Sequence, residues 1–313
     1  KLIHSAYKDY IENNLERKMY NDFPYVFIIQ GEDMKTIDCK EIVDAVKKLC
    51  IQININMPND VKEALVNSIN DEDSMIGRRI LEDILLNGQI ASRKEIPMCQ
   101  DTGMIVVFVE IGQDVKIING SLSEAINEGV RLGYREGFLR KSVVKCPIRR
   151  GNTEDNTPAV IHFDIVPGNS LKIHLGAKGF GSENMSAVKM LKPSDEVKGI
   201  KDFVIETIKN AGGNPCPPII VGVGIGGTFD KVTMLAKKAL LKDLGQRHED
   251  SYIGDLELEL LKEINELGIG PQGFGGKTTA LDLHIETFPT HIAGLPVAVN
   301  INCHASRHGE IIL

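Results

Sequence analysis

The hydrophobic period of this chain changes partway along it, and that change limits the folds open to it. Between Asp38 and Asn87 apolar residues recur at three- and four-residue steps: Ile42, Val43, Val46 and Leu49, then Val61, Leu65 and Ile69, then Ile80, Leu81, Ile84 and Leu85. Each set lays a stripe along one face of a helix. From Met104 onward the apolar residues gather into short runs broken by Gly, Pro and Asn, the mark of strands. Strands are predicted at 104–109, 159–165, 171–175, 217–223, 280–288 and 297–301, and the Pro-Gly-Asn between the second and third predicts a hairpin. Helices intervene at 121–134, 194–208, 228–244 and 255–267. Asn59 and Ser194 are candidate N-caps, and Ser121 with Glu124 has capping-box spacing. Helices first and mixed strands later predict an α+β fold, a helical N-terminal part followed by mixed sheets flanked by helices.

The 313 residues suffice for one large domain, read here as 34–313. The first 33 residues are rich in Tyr and Asn and read either as an extension outside the fold or as a first helix packed on it. With no Trp and 5% aromatic residues, the core must be built from Ile, Leu and Val. A net charge of −7 gives a nucleic-acid role no electrostatic support. No apolar run approaches the roughly 20 residues of a membrane span, and no signal-peptide pattern opens the sequence, so a cytoplasmic protein is expected. Six cysteines there are thiols or metal ligands rather than disulfides.

VGVGIGGTFD invites a dinucleotide reading, because Gly222, Gly224 and Gly227 fit G-x-G-x-x-G between a strand and a helix. The acidic partner of that motif should end a second strand. Asp243 has the spacing but no strand, so close strand–helix packing or a small-anion site is the better use. Cys39 and Cys50 share one helix face and read as core, while Cys146 in VVKCPIRR carries no assigned role. Cys99 in IPMCQDTG, Cys216 in NPCPP and Cys303 in NCHASR each stand at a strand edge among turn formers. Their wide spacing fits neither a zinc knuckle nor a ferredoxin run. Three thiolates can hold three irons of a four-iron cluster and leave the fourth open as a Lewis acid. Three unrelated buried thiols remain the alternative at this point.

Five motifs in order decide more than spacing does: IPMCQDTG, KGFGSEN, NPCPPIIVGVGIGG, GIGPQGFGGKT and PTHIAGLPVAVNINCHASR. In them the sequence resembles, from Met34 to Leu313, the α subunit of two-subunit class I iron–sulfur fumarate hydratases and the related L(+)-tartrate dehydratases. The resemblance implies a hydro-lyase whose Cys99, Cys216 and Cys303 bind a 4Fe-4S cluster, with fumarate and malate as substrates. It implies that Gln100 and Asp101 lie beside the cluster, with Asp101 handling a proton or orienting substrate. Arg140 would grip a substrate carboxylate, Gly181 would let the backbone approach the substrate, and His291 would touch it. Lys178, Ser182 and Lys277 are possible neighbours. The family also implies a separate β subunit completing the site, in an α2β2-type oligomer. KGFGSENMS resembles the fumarase form of its loop, so fumarate is preferred to tartrate. A sensing module built on the same cluster is the rival from another class; it would not need Arg140 and His291 aimed at an open iron.

Overall fold

The computed structural model describes residues 34–313, and the proposed extension at 1–33 lies outside them. Strand β1 (Lys35–Asp38) leads into helix α1 (Cys39–Ile55), whose start is fixed by the Asp38 carboxylate accepting from Lys40 N–H at 2.8 Å. Helices α2 (Asn59–Asp71) and α3 (Met75–Lys94) follow, then β2 (Met104–Gly112), β3 (Val115–Ile118) and α4 (Leu122–Glu136). Next come β4 (Val160–Val166), β5 (Leu171–Lys178), the single turn α5 (Phe180–Glu183) and β6 (Ala187–Leu191). The last part holds α6 (Glu196–Ala211), β7 (Ile219–Gly226), α7 (Phe229–Ala239), α8 (Ser251–Glu266), β8 (Ala280–Phe288), β9 (Leu295–Asn302) and β10 (His308–Ile312). This is the α+β arrangement that the change of period predicts, and no helix is long and apolar enough to cross a membrane among the described residues.

Two four-stranded mixed sheets, ordered β10-β5-β2-β4 and β6-β9-β7-β8, form the frame, and β1 pairs with β3 in a small parallel ribbon. The first core lies where α1 and α4 cover the first sheet, joining Ile42, Val46 and Cys50 to Ile126, Val130, Val107 and Leu175. Cys39 and Cys50 are buried there as core residues, and burial alone pushes the Cys50 thiol far above its usual pKa. The second core gathers α6 and α8 against Val221 and Val223 of β7 and Leu283 of β8. Alternate residues of β7 point the other way. There Gly222 and Gly224 face α7 so closely that a Cβ would lie 2.1 Å from the Ala236 carbonyl oxygen and 2.2 Å from that of Val232. The glycine run therefore serves strand–helix packing.

The predicted hairpin is corrected. Strands β4 and β5 do not pair, because β2 lies between them, parallel to β4 and antiparallel to β5. The cause is burial: Ile105, Val106, Val107, Phe108 and Val109 are buried on both faces of β2, so it takes a central place. The 167–170 turn instead crosses the end of β2, where Gly112 N–H donates to the Ser170 carbonyl at 2.8 Å. A Cβ on Gly112 would meet the Gly168 oxygen at 2.2 Å.

The cap assignments also change. Pro58 occupies the N-cap of α2 with Asn59 as its first residue, and Ser121 caps α4 by backbone position without a side-chain bond. A 3-10 turn at Pro193–Asp195 replaces a Ser194 cap, with the Asp195 carboxylate accepting from Lys192 N–H. Helix α1 runs past Cys50 because Ile53 packs into the first core and Asn54 Nδ2 donates to the Cys50 carbonyl at 2.9 Å. The Gly224→Val variant should lose about 2 kcal/mol or more of stability by overpacking against α7, measured as a lowered urea midpoint with an unchanged slope.

Candidate functional site

Residues Gln100–Gly103 form a turn that three separate elements hold. Tyr134 of α4 donates from its hydroxyl to the Thr102 carbonyl at 2.6 Å, and the Arg307 guanidinium donates to the Asp101 carbonyl. Asn156 Nδ2 donates to the Gly103 carbonyl at 3.2 Å. Gly103 itself is at φ +79°, and a Cβ there would lie 2.8 Å from Lys178 N, so only glycine fits. The Asp101 carboxylate is fixed by two backbone donors, Gly103 N–H at 3.0 Å and Phe180 N–H at 2.9 Å. Arg140 is tied to the same turn, since Thr102 Oγ1 donates to its carbonyl at 2.9 Å. Asp101 and Arg140 line one cleft of about 510 Å³, together with Met104, Ser142, Val143, Val144, Arg150, Phe180 and Asn184. That volume lies within the usual range for small-molecule clefts, roughly 300–1,000 Å³.

Cys99 begins this turn, with Gln100 Oε1 3.5 Å from its sulfur. Cys216 precedes β7 and Cys303 follows β9, and these strands are antiparallel neighbours, so both cysteines occupy one end of the second sheet. Burial first, then the charges of Cys303 and Cys99, push the Cys216 thiol above its ordinary value. Burial also raises the Cys303 thiol, opposed by the Arg307 guanidinium and the Lys178 ammonium. Among the described residues no group of three or more His, Cys, Asp or Glu side chains is gathered tightly enough for a single metal ion. A cluster puts each thiolate on a different iron, so it needs sulfurs around a cage rather than around a point. Three and four residues after Cys303, Ser306 Oγ and Arg307 Nε are buried with no hydrogen-bond partner among the described residues. Such donors suit an anionic or sulfide-bearing guest. The residues present therefore fit a cluster.

Cys216 stands at φ +56°, a strained conformation for a residue with a Cβ. Its loop is held by Gln272, whose backbone N–H and Nε2 each donate to the Pro217 carbonyl at 2.8 Å, and by His304, with Nδ1 3.0 Å from the Cys216 carbonyl. Sequence reasoning passed over Gln272, His304 and Arg307. Each lies inside a quoted motif, one residue after Cys303 for His304 and four for Arg307.

Lys178 is buried, its Nζ 2.8 Å from Ser182 Oγ and 3.4 Å from the Glu183 carboxylate, and its charge acts on Cys303. Burial is the main cause that lowers its pKa to about 8, with Glu183 opposing. Glu183 is in turn paired with Lys237 and accepts from Asn300 at 2.8 Å. Gly181 opens outward from α5, with no atom of the described residues within 4 Å of a Cβ built on it.

Lys277 and His291 are not among the residues that line the cleft. Lys277 is exposed, its Nζ paired with Asp73 at 2.5 Å and its backbone N–H held by Glu72. His291 lies in the exposed β8–β9 connection, where Thr290 Oγ1 donates to the Gly227 carbonyl past the far end of β7. Eight residues of β7 separate that end from the Cys216 end, roughly 26 Å at the usual strand rise. Within this chain His291 and the thiols are at opposite ends of the sheet. The motif gave the residue type; only strand direction gives the place.

Residues 43–312 match the family model described as Fumarate hydratase (Fumerase). A Methanocaldococcus jannaschii protein named "Putative L(+)-tartrate dehydratase subunit alpha" is 48% identical over 276 residues, covering 85% of this chain and 95% of its own length. The Escherichia coli and Shigella sonnei proteins named L(+)-tartrate dehydratase subunit alpha are each 32% identical over 289 residues, covering 91% of this chain and 95% of theirs.

Lys178 sets a pH dependence. Its folded pKa is lowered from 10.5 to about 8, so across that window the unfolded chain holds a proton that the folded chain has released, and stability rises with pH. Lys178→Met cannot titrate. The stability advantage of wild type over this variant should grow from pH 7 to pH 10.5, as compared by denaturant midpoints.

Proposed function

The chain belongs to the fumarate hydratase (Fumerase) family, and from that premise we propose that it is the α subunit of an iron–sulfur hydro-lyase that hydrates fumarate reversibly to (S)-malate. The observation that carries the reading is one cleft in which a fixed carboxylate, Asp101, and a guanidinium, Arg140, are built on the turn that begins with Cys99. A 4Fe-4S cluster held by Cys99, Cys216 and Cys303 would supply a Lewis acid toward a hydroxyl oxygen when bound. Every other requirement falls to side chains.

Arg140 would take one substrate carboxylate through two parallel charge-assisted hydrogen bonds. Gln100, exposed beside Cys99, offers an amide to the same ligand. Asp101 is held at both oxygens by backbone N–H groups, which keeps it oriented to accept a hydrogen bond or a proton from the substrate side. The exposed face of α5 at Gly181 gives the ligand room to lie against the backbone. A second chain, the β subunit, would close the cleft and bring the remaining proton-transfer group and cations. His291, at the other end of the sheet, is proposed for substrate contact only from the side of an assembled oligomer.

Fumarate is favoured by the KGFGSEN loop and by the apolar walls Met104, Val143, Val144 and Phe180. L(+)-tartrate is the second reading, favoured by the relatives' names. Its extra hydroxyl would need Ser142 or Asn184, the neutral polar side chains of the cleft. Anaerobic co-production with the β subunit, followed by kcat/KM on fumarate, (S)-malate and L(+)-tartrate, tests both. A higher value for fumarate supports the first reading, a higher value for tartrate the second, and no turnover of any of the three rejects the hydro-lyase. Arg140→Ala should lower kcat/KM by 10-fold or more while iron, sulfide and visible absorption stay at wild-type levels; loss of the chromophore instead would give Arg140 a structural role.

A further inference from the structure

Arg140 does not stand alone in its cleft. Arg150 lines the same volume, across a loop whose hydrogen bonds fix both ends. Lys145 N–H donates to the Gly151 carbonyl at 2.7 Å, Thr153 N–H to that of Val143 at 2.9 Å, and Asn152 Nδ2 to that of Lys141 at 2.9 Å. Val144 and Asn152 form an antiparallel bridge. At the tip, Arg150 N–H donates to the Cys146 carbonyl at 2.9 Å, and Arg150 takes φ +61°. A Gly or Asn is the ordinary occupant of that region, so an arginine there carries a backbone cost.

The charges leave a second mark. Arg131 is paired with Glu128 and Asp155, and Arg247 with Asp282. Among the described residues neither Arg140 nor Arg150 has a carboxylate within ion-pair reach. The one carboxylate of the cleft, Asp101, already accepts from Gly103 and Phe180 N–H. Two guanidinium groups facing one cavity repel each other unless a ligand carries negative charge at both ends.

We propose that Arg150 is a second carboxylate clamp, so that Arg140 and Arg150 together select a short dicarboxylate over a monocarboxylate. This rests on the hydro-lyase reading for its choice of ligand. Recognition itself needs only the two forks and the cavity between them.

Succinate and propionate binding to the anaerobically prepared, cluster-loaded complex, measured by calorimetry, separates the two claims. Arg150→Gly removes the fork yet suits the left-handed backbone, so the loop is kept. It should weaken succinate about 10- to 100-fold and leave propionate unchanged, with Arg150→Lys in between. Equal succinate affinity in wild type and Arg150→Gly, equal loss of both ligands, or no succinate binding by wild type would overturn the clamp. If wild type turns over none of fumarate, malate and tartrate yet shows the predicted succinate loss, the clamp stands and the hydro-lyase reading falls.

Discussion

The contact between the Arg307 guanidinium and the Asp101 carbonyl ties the two halves of the site together. Arg307 stands between β9 and β10, where the chain leaves the second sheet for the first, and Asp101 heads the central strand of the first. The side chain is 2% exposed and its oxygen partners, the Asp101 carbonyl and Asn54 Oδ1, are both neutral. A buried cation with only neutral oxygen acceptors is costly unless negative charge lies nearby. Cys303 feels its charge directly. The same residue thus fixes the turn, opposes the burial that raises its neighbour's thiol, and keeps an Nε with no partner among the described residues.

Around that contact the site is built from turns on a rigid frame. Tyr134 of α4 reaches the turn from the first core, while Gln272 and His304 hold the Cys216 loop from the second. Strain at Cys216 and Arg150, both left-handed without being glycine, persists because neighbouring hydrogen bonds over-determine each loop.

What could be read in advance follows from the range of the forces involved. Strand and helix identities come from local periodicity, and β8 and the start of β2 fall where the pattern puts them. The hairpin between β4 and β5 fails because pairing is decided by which strand is buried on both faces, a property of the whole sheet. Caps at Asn59, Ser121 and Ser194 fail because a competent side chain is only one of several ways to satisfy a helix end. Strand β10 escaped notice because His308–Ile312 is short and alternates weakly. For the site, the sequence offered Cys99, Asp101 and Arg140 as candidates, and the last two line one cleft. The bracing by Gln272, His304 and Arg307 was not legible, since a hydrogen bond to a backbone carbonyl leaves no pattern in a sequence.

The three thiols also differ in which core they belong to. Cys99 hangs from the strand that runs through the first core, whereas Cys216 and Cys303 flank strands of the second. Anything that grips all three is therefore a rivet across the seam. Its loss would leave the Arg307 contact and side-chain packing to hold that seam, so that damage to such a guest would be felt as slack in the architecture as well as silence in the chemistry.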